Sequence, residues 1–184
     1  SGTSSLLTSA LALGLKPGDE IIVPAYTFVA SYSAMIFAGI IPVLAEIDDS
    51  LTLDPDDIEH RITSRTKAIM PVHMLGNPCN MDRIMGIAAK HDLLVLEDSC
   101  QSAGASYKGK KTGSIGNIGA FSLNIFKTIN SGDGGLVATD NPGFYETAFA
   151  VHDQGHNPSR LGVEVGKRNI LGLNFRMNEL SAAV

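Results

Sequence analysis

Four consecutive apolar residues, Leu93-Leu94-Val95-Leu96, run directly into the acidic pair Glu97-Asp98. A run this short and unbroken reads as a strand buried on both faces, and such strands belong to parallel sheets with helices on either side. The acidic pair then emerges at the carboxyl end of the strand, where open α/β sheets bind their ligands. The rest of the chain alternates helix and strand in the same way. Helical patterning over Leu6 to Leu15 passes through the turn Lys16-Pro17-Gly18-Asp19 into a strand at Glu20 to Val23, stopped by Pro24. A helix over Thr27 to Ala38, capped by Thr27 or a neighbour, precedes a strand at Ile40 to Ala45. Asp54 is a good N-cap for a helix over Pro55 to Ile62, followed by a strand at Lys67 to Val72 and a helix over Met81 to Lys90. Strands at Ala120 to Ser122 and Leu136 to Ala138, a helix from Pro142 to Val151 and another from Asn178 to Val184 complete the pattern. No repeat, low-complexity tract or linker divides it. The expectation from this pattern is one α/β domain, its sheet flanked by helices.

Two further segments give this sheet a chemistry. Lys127 ends the run Phe121-Ser122-Leu123-Asn124-Ile125-Phe126-Lys127 and precedes the glycine-rich Ser131-Gly132-Asp133-Gly134-Gly135. A lysine amine can hold an aldehyde as a Schiff base, because its pKa falls readily on burial where that of arginine does not. Asp98 supplies the carboxylate that keeps a pyridine nitrogen protonated, and a protonated ring is an electron sink. Gln101, three residues on, can face the same side and donate to a phenolic oxygen. Ser1-Gly2-Thr3-Ser4-Ser5, ahead of the first helix, offers amides and hydroxyls to a phosphate, and Ser122 adds another hydroxyl. These are the pieces of a pyridoxal phosphate site. Singly, each has a plainer explanation, such as a solvated surface lysine or a strand-end aspartate capping a turn. The ordered set is what points to the cofactor.

With these residues in place, the chain resembles the DegT/DnrJ/StrS aminotransferases, the sugar aminotransferases of PLP fold type I, over nearly its whole length, which implies a mixed, mostly parallel sheet of about seven strands. The likeness is carried by SGTSSL at 1–6, PAYTFVAS at 24–31, PVHMLGNPCNMD at 71–82, EDSCQSAGASYKGKKTGSIG at 97–116, FSLNIFKTINSGDGG at 121–135 and GLNFRMNELSAA at 172–183. The resemblance implies that Gly2, Thr3 and Ser4 cradle the phosphate and that Phe28 stacks on the ring, a core phenylalanine being the alternative. It implies that Asp98 pairs with the pyridinium, Gln101 contacts the phenolic oxygen, Ser122 binds phosphate and Lys127 carries the Schiff base. Asn174 is expected to reach the phosphate of a neighbouring subunit, which implies a homodimer. Arg176 in the same segment is the other candidate, unless it caps the following helix or holds a carboxylate.

The implied activity is transamination dependent on pyridoxal 5'-phosphate, with the pyridoxamine form as intermediate. Lys127, displaced by the amino donor, becomes the base that removes its α-proton, and Asp98 supports the charge that develops. Glutamate or glutamine is the implied donor, and a keto sugar, usually nucleotide-linked, or a keto cyclitol the acceptor. Related sugar dehydratases carry histidine in place of the lysine, so Lys127 argues against that chemistry. A non-catalytic relative that binds a ligand and regulates is the alternative from another class, and the presence of Asp98, Ser122 and Lys127 together argues against it.

At 184 residues and 44% hydrophobic content the chain can bury one sizeable core, and a net charge of -5 argues against nucleic-acid binding. Cys79 and Cys100 lack ligand spacing, and so few cysteines suit a reducing cytoplasm. There is no apolar run of membrane length and no charged-then-apolar leader. No metal site is expected: Gly155 intervenes between His152 and His156, which read as loop residues near the pocket mouth. His73 is expected to be a hydrogen-bonded structural histidine. Gly104 to Lys111 nearly spells a nucleotide P-loop, but Lys111 stands where a hydroxyl is needed for magnesium, so an exposed hairpin is expected. The chain opens inside a motif without a methionine and closes within a helix. Residues 1–184 are therefore expected to be the large cofactor-binding domain of a longer protein, with an N-terminal segment and a smaller C-terminal domain outside them.

Overall fold

The computed structural model describes residues 1–158, 168 and 170–184. In chain order its first half runs α1 (Gly2–Ala12), β1 (Glu20–Pro24), α2 (Ala30–Phe37), β2 (Ile41–Ala45), α3 (Pro55–Arg61), β3 (Thr66–Ile69) and α4 (Met81–His91). The second half runs β4 (Leu94–Asp98), β5 (Ser106–Tyr107), β6 (Lys110–Lys111), β7 (Ile118–Ser122), β8 (Gly135–Ala138), α5 (Pro142–His152) and α6 (Glu179–Ala182). The sheet order is β2-β1-β3-β4-β7-β8, with every neighbouring pair parallel except β7 and β8. Among the described residues it has six strands, against an expectation of about seven.

The apolar runs form central strands because both of their faces are covered. Along β1, Ile21 and Val23 face a core made with Leu6 and Ala10 of α1 and Met35 of α2. Ile22, between them, faces a second core made with Ile58 of α3 and Met81 and Ile84 of α4. That alternation is the period of two of a pleated strand, with apolar partners on both sides. Asp54 caps α3 as expected, accepting from Asp56 N at 2.9 Å.

Local hydrogen bonding moves several boundaries. α1 begins at Gly2 instead of Leu6 because Ser1 caps it, its Oγ accepting from Ser4 N at 3.2 Å. Gly2, Thr3 and Ser4 are thus the first turn of the helix itself. α2 starts at Ala30, not Thr27, since the Thr27 hydroxyl is engaged with Ser31 Oγ at 2.6 Å and caps nothing. β3 ends at Ile69, ahead of Pro71, which has no N–H for a ladder. Val72 rejoins the sheet as an isolated parallel bridge to Asp98. Residues 104–111 do form a hairpin, β5 with β6, turned by Lys108 and Gly109 at φ of 48° and 84°. Among the described residues no helix is long and apolar enough to cross a membrane.

Candidate active site

The carboxyl ends of β3 and β4 open into a cavity of about 430 Å³ that also meets the start of α1 and the loop after β7. It is lined by Gly2, Thr3, Phe28, Asp98, Gln101, Ser122 and Lys127, seven of the nine residues singled out from the sequence. Ser4 and Asn174 are the two it does not contain.

Asp98 is the last residue of β4 and only 4% exposed. Ser31 Oγ donates to its Oδ2 at 2.8 Å, and the Cys100 amide donates to its Oδ1 at 3.1 Å. Burial and the neighbouring Asp98 charge push the Cys100 thiol well above its usual range, which keeps it protonated and a poor nucleophile. Gln101 has its orientation fixed from outside the cavity: the Leu75 amide donates to Oε1 at 3.0 Å, so Nε2 is left to donate. Leu75 adopts a left-handed conformation, φ 53°, in the 3-10 turn Met74–Gly76, and that turn aims its amide at Gln101.

At the other end of the cavity α1 meets Ser122. A Cβ on Gly2 would lie 2.7 Å from Ser122 Cβ, so only glycine permits the approach. Ser122 Oγ accepts from Asn124 N at 3.3 Å, which ties it to the loop carrying Lys127. Lys127 is half-buried, with its amide donating to Asn124 O at 2.8 Å. Phe28 is 62% exposed at the mouth, so it is not a core phenylalanine.

Ser4 turns away because two steps along a helix rotate a side chain by about 200°. It lines a neighbouring cavity of about 540 Å³ between α1, β8 and α5, and its amide is taken by Ser1 Oγ. Asn174 is exposed and bridges to Asp153 through its backbone, while its Oδ1 accepts from Arg176 Nε at 3.2 Å. Arg176 holds a carboxylate, with Nη1 3.2 Å from Asp153 Oδ1. His152 ends α5 and is not a loop residue; its Nδ1 lies 2.7 Å from Phe149 O, and it lines the larger cavity.

Glu97, behind the cavity, had no role from the sequence. It is fully buried, and its Oε1 accepts from the Ile115 and Gly116 amides, both at 2.6 Å. Its Oε2 accepts from Gly113 N at 2.8 Å and from His73 Nε2 at 2.9 Å. Burial pushes this carboxyl up, but the bonds from His73 and the Gly116 and Gly113 amides outweigh burial and hold it below its ordinary value. His73 Nδ1 accepts from Cys79 N at 3.1 Å, which fixes the tautomer with hydrogen on Nε2 and makes it the structural histidine expected. Ser31 was missed as well. Its spacing from Thr27 would place both hydroxyls on one face of a continuous helix, which was the available signal.

A family model for the DegT/DnrJ/EryC1/StrS aminotransferases matches residues 1–184. The GDP-perosamine synthase of Caulobacter vibrioides is 40% identical over 184 residues, 100% of this chain and 48% of that protein. The solved aminotransferase from Psychrobacter cryohalolentis superposes with a TM-score of 0.92 at 38% identity, covering 99% of this chain and 48% of its own. NtdA from Bacillus subtilis, solved with bound cofactor PMP, gives 0.88 at 35% identity over 99% of this chain and 41% of its own. This chain spans about half the length of the curated relatives it matches. With its α/β sheet, its site at the strand ends and a match over every residue, it belongs to the DegT/DnrJ/EryC1/StrS aminotransferase family.

Proposed function

We propose that this chain is the cofactor-binding domain of a pyridoxal 5'-phosphate-dependent aminotransferase. It moves an amino group from glutamate or glutamine to a keto sugar, nucleotide-linked, or to a keto cyclitol. The observation that carries this reading is the convergence of Lys127 and the buried, doubly held Asp98 on one cavity beside the start of α1.

The residues fit the group at each of its ends. The Gly2–Ser122 approach joins a helix start and a hydroxyl where an anion binds, and a Cβ would close it. Asp98 accepts from Ser31 Oγ on one oxygen and from the Cys100 amide on the other, and the two carboxylate oxygens have lone pairs beyond these for a cationic ring nitrogen. Gln101 presents a donor where a phenolate needs one.

When bound, the cofactor supplies an electron sink that stabilises negative charge at the α-carbon of the amino donor. The Asp98 carboxylate holds a proton on the ring nitrogen. Lys127, on the wall of the cavity, would be the base that takes the α-proton of the donor and the acid that gives it back. The amides of Gly2 and Thr3, with the Thr3 and Ser122 hydroxyls, hold the phosphate. Phe28, exposed at the mouth, would cover a face of the ring.

The active unit in this reading is a cytoplasmic homodimer in which Asn174 completes the phosphate site of the partner. What supports that step is the exposure of Asn174 outside the cavity of its own chain, with Arg176 committed to Asp153. Incubating the purified holoprotein with glutamate or glutamine, then with candidate keto sugars, tests the function by visible absorbance of the aldehyde and amine cofactor forms. If neither donor converts the cofactor, the reading is overturned.

A further inference from the structure

We propose that Ser31 is a positioning residue for this reaction: its hydroxyl, itself held by Thr27, fixes the rotation of the Asp98 carboxylate toward the ring nitrogen. This rests on the aminotransferase reading above.

A carboxylate turns about a broad torsion, so a single anchor leaves its plane free to swing. Asp98 has two anchors, one on each oxygen, from different parts of the fold. The Cys100 amide belongs to the turn that follows β4, and Ser31 belongs to α2. Ser31 is 1% exposed, at the wall of the cavity that Asp98 also lines.

The direction of the bonds follows from counting hydrogens. An ionised carboxylate can only accept, so the one O–H of Ser31 is directed at Asp98 Oδ2. At the 2.6 Å contact between Thr27 Oγ1 and Ser31 Oγ, Thr27 must therefore be the donor. The order Thr27 to Ser31 to Asp98 is fixed. It also accounts for Thr27 leaving the start of α2 without a side-chain cap. Thr27 lines the cavity next to Phe28, so the relay links the turn bearing the exposed aromatic to the buried carboxylate.

The test measures affinity of the cofactor-free protein for two probes, pyridoxal phosphate and its analogue with the ring nitrogen replaced by C–H. A hydrogen bond to a charged group is worth enough to weaken pyridoxal phosphate binding about tenfold in Ser31→Ala. The analogue has no nitrogen to pair with Asp98, so its affinity should change less than about twofold. A purely packing role for Ser31 would weaken both probes equally, and that result overturns the proposal. Thr27→Val, outside the core, should discriminate between the probes in the same direction by about threefold, and Thr27→Ser should restore the wild-type ratio. If Ser31→Ala does not fold, Thr27→Val decides, and equal effects on the two probes overturn the relay. Asp98→Asn separates the two levels of the argument. If it fails to discriminate between the probes, the placement of Asp98 against the ring nitrogen fails; if it discriminates and Ser31→Ala does not, only the role of Ser31 fails.

Discussion

His73 Nε2 donates to Glu97 Oε2 across 2.9 Å, with both side chains fully enclosed. Glu97 also takes three backbone amides from residues 113–116, so this one carboxylate ties the turn after β3 and the loop before β7 to β4, directly behind Asp98. Glutamine cannot replace it, because the NH2 of its amide would face either the Ile115 and Gly116 donors or the Gly113 and His73 donors. Glu97→Gln is expected to destabilise the fold by about 3 kcal/mol, the size seen when a buried pair loses one partner. Urea denaturation measures this, and a loss below ~1 kcal/mol would show that the hub contributes little.

The same carboxyl makes stability depend on pH with a definite sign. Folding holds Glu97 below its ordinary value of 4.5, so near that pH the unfolded chain binds more protons than the native one. The contribution is complete above the unfolded value and is lost as the pH falls from there through the lower folded value. Denaturation midpoints taken between neutral pH and the acid side of 4.5 should fall for wild type, and the Glu97→Gln midpoint should fall by less. Parallel curves for the two proteins would remove Glu97 from the acid transition.

What the sequence disclosed follows the range of each interaction. β4 was legible because four apolar residues in a row have few places to go but a covered strand, and Asp98 inherited its location from that strand. The Asp54 cap and a hairpin within residues 104–111 were legible because their bonding is local, while the turn position at Lys108 and Gly109 came from the structure. The start of α1 was misplaced because SGTSS has no apolar periodicity, although Ser1 is itself the cap. The role of Glu97 was invisible because its partners, His73 and residues 113–116, lie well away along the chain and leave no local pattern. Gln101 was picked out, but its orientation depends on the left-handed turn at Leu75, which nothing in MLG announces.

Borohydride treatment of the holoprotein should bleach its visible band and leave the reduced cofactor attached to Lys127. The motivation is that Lys127 lines the cavity that also holds Asp98. Lys110 and Lys111 are exposed on the β5–β6 hairpin and line no part of that cavity. Peptide mapping distinguishes these positions, and label on either hairpin lysine sinks the assignment.

Asp98→Asn should still take up cofactor when it is supplied in excess, since Gly2, Thr3 and Ser122, the residues proposed to hold the phosphate, are untouched. Transamination should fall by at least ~10²-fold, because an amide cannot hold the ring proton that a carboxylate holds. Single-turnover conversion with saturating glutamate is the measurement. Wild-type turnover in this variant would reduce Asp98 to a strand-end residue bonded to Ser31 and Cys100.

Asn174 provides the test of the assembly. If it completes the phosphate site of the partner, an inactive Lys127→Ala subunit mixed with an inactive Asn174→Ala subunit should partly recover activity. In such a hybrid one site carries both lesions and the other carries neither, as two-fold symmetry requires. Differently tagged subunits allow the hybrid to be purified, and wild-type dimers carried through the same exchange serve as the reference. Verified hybrids as inactive as either parent, beside active wild-type dimers, would exclude a cross-subunit role for Asn174. Arg176, two residues on and paired with Asp153 in the isolated chain, would then be the next residue to exchange.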